Sequence, residues 1–233
     1  MNMTTRQLAV RFSIASAILF SALVVMQVAS GASQQFFEVV HPPAVYAREI
    51  VARAGWLRVV IGVDDIFIGC YVAAGVLTAL TLPRRALTFF VMAGAVMVGL
   101  LDLEENHHML ALLRAAESAM PLDPADIVRR MDASTTKFAI GHLAFFFIAF
   151  LVPGRSGAAR ALRVLCGVVQ LPLGIAGVVW DGSIPVQIGR AVCYSTAYVL
   201  LAVVMSRLPD ASAAASATGA RASRPDTMPG AAA

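Results

Sequence analysis

Between Phe12 and Met205 the chain is a succession of apolar runs about as long as a bilayer's hydrocarbon is thick, which leaves few folds open. In lipid every backbone amide and carbonyl must be satisfied within the protein, so a run of roughly 20 such residues folds as a helix. The runs fall at 12–30, 56–82, 86–113, 134–152, 164–180 and 187–205. They predict an all-α fold, a polytopic membrane bundle of six transmembrane helices. Residues 1–11 and 208–233 flank it. Charged residues are 14% of the chain, about half the share of an ordinary soluble domain. The lipid bilayer is therefore the first expected partner.

The connections are read from their breakers. A basic start with Arg6 and Arg11 precedes the first run, and small residues follow at 29–33, as in a secretory signal. The run is longer than a usual signal core, so a retained helix is expected. His41-Pro42-Pro43 interrupts a long connection, 31–55, in which 46–53 can form a short interfacial helix. Trp56 suits a membrane interface, and Pro83-Arg84-Arg85 closes a tight turn. Residues 114–133 read as a polar connection. Pro153-Gly154 ends the fourth span, Pro172 and Gly174 should kink the fifth, and Asp181-Gly182-Ser183 makes the last turn. The Ala/Ser/Gly/Pro-rich tail from Pro209 cannot bury a core and is expected to be disordered. Cys70, Cys166 and Cys193 lie within apolar segments and read as packing residues.

Charge sets the expected orientation. Arg6, Arg11, Arg84, Arg85, Arg155, Arg160, Arg163 and Arg207 fall on one side of the bundle. Every acid except Asp210 and Asp226 of the tail falls on the other or in the adjoining half-helices. By the positive-inside rule both termini are cytoplasmic, and the expected setting is a bacterial inner membrane. The net charge of +4 does not indicate nucleic acid, because the basic residues are scattered and lack a stacking face.

The polar residues of the spans gather in one layer. Asp65 precedes Pro83 by 18 residues and Asp102 follows it by 19. At about 1.5 Å per residue, antiparallel neighbours bring Asp64 and Asp65 level with Asp102 and Glu105, in the outer half of the bundle. Lys137 and His142 fall at comparable depth on the fourth span. Within the third span, Glu104 with His107 and Glu105 with His108 form overlapping Glu-x-x-His pairs, half of a di-metal carboxylate site in helical bundles. Asp102 and Asn106 share a face with Ala95 and Gly99, and Asp65 shares one with Gly62 and Gly69. Small residues let a neighbouring helix approach, so Asp65 and Asp102 are expected to point inward. Lys137 is expected to snorkel to the interface, and His142 to hydrogen-bond between helices.

Three chemistries suit these residues. In a metal site, His107, His108, His142, Glu104 and Asp64 are the candidate ligands of zinc, iron or manganese. Asp65, Asp102 and Glu105 are the candidate catalytic acids and bases, acting on a hydrophobic small-molecule substrate with or without the metal. Alternatively, His142 facing His107 or His108 gives bis-imidazole ligation of haem b for electron transfer. A proton-coupled transporter is the third reading, although the cytoplasmic half-helices offer no polar path. No desaturase histidine pattern, prenyltransferase Asp-x-x-x-Asp, Gly-x-Ser-x-Gly or phosphate loop occurs.

Overall fold

A computed structural model of the chain describes residues 3–82, 86–180 and 183–208. Residues 83–85, 181–182 and 209–233, for which a turn, a turn and disorder were expected, lie outside the described residues. Helix α1 spans Thr5–Ser30, α2 Pro43–Ala52, α3 Ala54–Thr81, α4 Ala86–Glu117 and α5 Pro124–Leu151. Helix α6 (Gly157–Val164) continues through a π-helical turn, Leu165–Val169, into α7 (Gln170–Val179), and α8 covers Ile184–Ser206. Among the described residues six spans are long and apolar enough to cross a membrane, α6 to α7 counting as one. The protein is an integral, multi-pass membrane protein.

Local chemistry explains the ends. Thr4 caps α1 by accepting from the Gln7 amide while the Gln7 side chain accepts from the Thr4 amide, and Gly31, at φ 64°, turns the chain off its far end. The segment 114–133 departs from expectation, being helical for most of its length. Asp123 accepts from the Ala125 amide, Pro124 starts α5 and Asp126 sits in its first turn, a strong start signal. Helix α4 closes when Met120 N–H bonds Ala115 O and Ala119 takes φ 55°. These extra turns have an apolar partner. The connection after α1 folds as a 3-10 turn, Gln34–Glu38, followed by α2. Its Phe37, Tyr46 and Ile50 are buried with Leu57, Ile61, Met109, Leu112, Leu113 and Ile127 as a small core that caps this end. Burying those side chains offsets the cost of ordering two polar helix extensions.

The spans pack as an up-and-down ring: α1 against α3, α3 against α4, α4 against α5, α5 against α7, and α8 back against α1. The start of α1 and the end of α8 lie at one end, where Arg6 Nη1 donates to Ser206 O at 3.0 Å and Leu208 O at 2.7 Å. Small residues set the tightest approaches. A Cβ on Gly75 would stand 2.8 Å from Ala95 Cβ, and one on Gly99 would strike Val72 Cγ2, so α3 and α4 pack backbone to backbone. In the fifth span the π turn lies just ahead of Pro172. Proline has no amide to give Val168, and the widened turn, closed by Gln170 N–H to Leu165 O, accommodates that loss. It also places Gln170 fully inside, against α5.

Candidate functional site

The end of the bundle opposite the Arg6–Ser206 contact holds a buried ionic layer. Helix α4 supplies Asp102, Glu105 and Asn106, spaced three and four residues apart and therefore on one face. Helix α5 supplies Arg130 and Lys137, seven residues and about two turns apart. Lys137 Nζ lies 2.8 Å from Asp102 Oδ1 and 2.5 Å from Glu105 Oε2. Arg130 Nη2 lies 2.8 Å from Glu105 Oε1, and its Nη1 donates to the Phe37 carbonyl of the 3-10 turn. Two carboxylates thus face two cations in water-poor surroundings, where an unpaired charge would cost several kcal/mol. From α3, Tyr71 donates to Asp102 Oδ2 at 2.5 Å. Asn106 Nδ2 reaches Asp64 Oδ2 and Asp65 Oδ1, each at 2.9 Å, and its Oδ1 accepts from Gln34 Nε2 at 3.2 Å. The register expected for α3 and α4 is the one found.

Glu38, at the end of the 3-10 turn, is buried beside this layer. Burial pushes its carboxyl above the usual range and Glu105 adds to that, while Lys137, Arg130 and Arg190 pull the other way.

These groups form one end of a cavity of about 450 Å³ that runs inside the ring. Its polar end is lined by Gln34, Glu38, Asp64, Asp102, Glu105, Asn106, Lys137 and Arg190. Its other end is apolar, with Gly75, Val91, Ala95, Ala144, Ile148 and Leu201. Phe67, Phe145, Tyr194 and Tyr198 line the middle, their rings meeting edge-on or tilted. Val24 and Val28 of α1 and Ile184 and Ile188 of α8 line the cavity and are also exposed, so its wall opens between these two helices near the polar end. Such a volume and lining suit a small molecule with a long apolar part.

The expected site residues divide sharply. Asp64, Asp102 and Glu105 are brought together around the cavity. Asp65 is exposed and touches the site only through Asn106; the Gly62 and Gly69 face it shares is open, with nothing within 4 Å of an added Cβ. The small-residue argument thus holds for Asp102, whose neighbours Ala95 and Gly99 meet α3, and fails for Asp65. Glu104 and His107 are exposed, His107 Nδ1 bonding its own helix at Leu103 O, and His108 is half-buried. His142 is buried elsewhere, between α5, α7 and α8: Nδ1 donates to Gln170 Oε1 at 2.5 Å, and the ring stacks on Tyr194. Among the described residues no group of three or more His, Cys, Asp or Glu is placed to hold a metal ion. His142 faces a glutamine and a tyrosine rather than a second imidazole.

Lys137 does not snorkel. It is buried, because two carboxylates compensate its charge where the interface was expected to. Sequence reading also passed over Gln34, Glu38, Tyr71 and Arg130. Arg130 had a usable signal: once Asp123-Pro124 is read as a helix start, Arg130 falls seven residues before Lys137, on the same face. Tyr71 had a weaker one: it lies six residues after Asp65, less than two turns along α3, and a long side chain on a helix leans back toward the N-terminal end where Asp102 stands. Gln34 and Glu38 had none, because a 3-10 turn leaves no periodic pattern. No protein-family model matches the chain, and neither a curated protein nor a solved structure is significantly similar to it.

Proposed function

We propose that the bundle is an intramembrane binding site, and the acid–base site, for an amphiphilic small molecule. The observation that carries this reading is the cavity with one ionic end and one apolar end, open toward lipid between α1 and α8. A substrate from the bilayer enters sideways, lays its chain along Ala95, Ala144 and Ile148, and brings its polar group to Asp102, Lys137 and Tyr71. Tyr71 and Lys137 are the available proton donors, and Asp102 is the acceptor between them. Glu105, held at both oxygens, acts as the fixed counter-charge beside Lys137 and Arg130. With the termini on the cytoplasmic side, as the arginine distribution supports, this polar end lies in the outer half of a bacterial inner membrane.

The test is direct. Full-length protein purified in mild detergent should carry one amphiphile per chain in native mass spectrometry. Val98→Trp, which fills the middle of the cavity, should abolish it, while Asp102→Asn should retain it and stop turnover. Parent protein that takes up no amphiphile when offered a lipid extract sinks the reading.

A further inference from the structure

Of the three cations at the polar end, two are paired with carboxylates and one is not. Lys137 has two carboxylates and Arg130 has one carboxylate and a carbonyl. Arg190 also lines the cavity, yet among the described residues it has no carboxylate within ion-pair distance and donates no hydrogen bond. Its Nη2 is enclosed and unpartnered. What holds the side chain is packing: the guanidinium carbon lies 3.2 Å from the centroid of the Phe138 ring. On the other side Gly177 of α7 leaves it room, since a Cβ there would stand 3.3 Å from Nη1. A planar, permanently charged fork, fixed by a ring and a glycine and left without its anion, is a recognition element in waiting. The nearby carboxylates do not supply that anion. Asp102 and Glu105 are already paired, Asp64 accepts from Asn106 and Gln34, and Glu38 shares a small side pocket with Arg190 without reaching ion-pair distance.

We infer that Arg190 is the headgroup anchor of the cavity, and that the ligand is an amphiphile with an anionic head, a carboxylate or a phosphate. This rests on the proposed function above and narrows it to one ligand class. Phe138 and Gly177 are positioning residues for Arg190. The chain of the ligand runs from Arg190 toward Ala144 and Ile148, which leaves the carbon next to its head near Lys137 and Asp102.

The experiment compares probes of one chain length on full-length protein in detergent: oleate, 1-oleoyl lysophosphatidate, oleyl alcohol and oleylamine, each titrated with a calorimetric or fluorescence readout. Both anions should bind about tenfold or more tightly than the alcohol, as expected for a charge-assisted contact away from bulk water; the tighter of the two names the head. Arg190→Gln should erase that difference and leave alcohol affinity unchanged, and Arg190→Lys should retain most of it. Equal affinity for alcohol and oleate, a preference for the amine, or an Arg190→Gln loss of the same factor for all four probes overturns the inference and makes Arg190 a structural residue. If no probe binds, the proposed function itself fails. If Arg190→Gln does not fold, Gly177→Ala, which displaces the fork, must lower anion affinity selectively; an unchanged ratio of oleate to alcohol there overturns the inference as well.

Discussion

Arg130 and Lys137, seven residues apart on α5, grip opposite oxygens of one α4 carboxylate: Glu105 Oε1 at 2.8 Å and Oε2 at 2.5 Å. This clamp ties the polar cap to the bundle, since Arg130 also holds the Phe37 carbonyl. Removing Glu105 leaves Arg130 without a carboxylate and Lys137 with Asp102 alone, whereas removing Arg130 leaves Glu105 paired with Lys137. Glu105→Ala is therefore expected to cost about 3 to 5 kcal/mol, more than Arg130→Met. Thermal denaturation in detergent gives the order. A Glu105→Ala protein as stable as the parent would show that the clamp carries no net stabilisation.

Gly174 is fixed by His142. A Cβ at position 174 would stand 2.8 Å from His142 Cδ2 and 2.9 Å from Cγ, ring atoms already held by Gln170 and Tyr194. Gly174→Ala should cost about 1 to 3 kcal/mol through overpacking. Paired with His142→Ala it should cost less than the sum of the two changes, because the clash is gone. Strict additivity in a double-mutant cycle would contradict this contact.

Glu104, His107 and His108 lie on the outward side of α4. Alanine at each is expected to change stability by about 0.5 kcal/mol or less and to leave amphiphile binding untouched. Titration of ligand into the triple variant checks this, and a lost or weakened isotherm would return these residues to the site.

Glu38 makes stability depend on pH. Its carboxyl is pushed up in the folded state by burial and by Glu105, against the pull of Lys137, Arg130 and Arg190. A raised folded value means that the neutral form is favoured by folding, so this contribution is fully present below the unfolded pKa and is lost as pH rises through the folded one. Glu38→Gln should hold the protein near its low-pH stability at neutral pH and flatten that decline. Melting curves across the range between those two values settle it; a Glu38→Gln profile parallel to the parent's rules the effect out.

Helix number and the α3–α4 register were legible because hydropathy and helical rise are nearly context-free in lipid. Which carboxylate of the Asp64-Asp65 pair turns inward was not. Neighbouring residues differ by about 100° around the helix axis, and a glycine face means close approach only where a partner helix exists. Ala95 and Gly99 meet α3; Gly62 and Gly69 meet nothing. The imidazoles misled for a related reason. Overlapping Glu-x-x-His spacing fixes which groups share a helix face, not whether that face meets other ligands. The clamp on Glu105 stayed hidden while 114–133 was read as a loop, because its arginine is placed only by the helix that Asp123 starts.

The opening between α1 and α8 also bears on how the ring is closed. Every neighbouring pair of spans around it is consecutive in the chain except α8 and α1. Their seam is closed by packing and by Arg6 on the last turn of α8, and it parts toward the far end, where Val28 and Ile188 border the cavity. Under the proposed function, entry from the bilayer would use the boundary between spans that are not consecutive in the chain, which can widen without stretching a connecting loop.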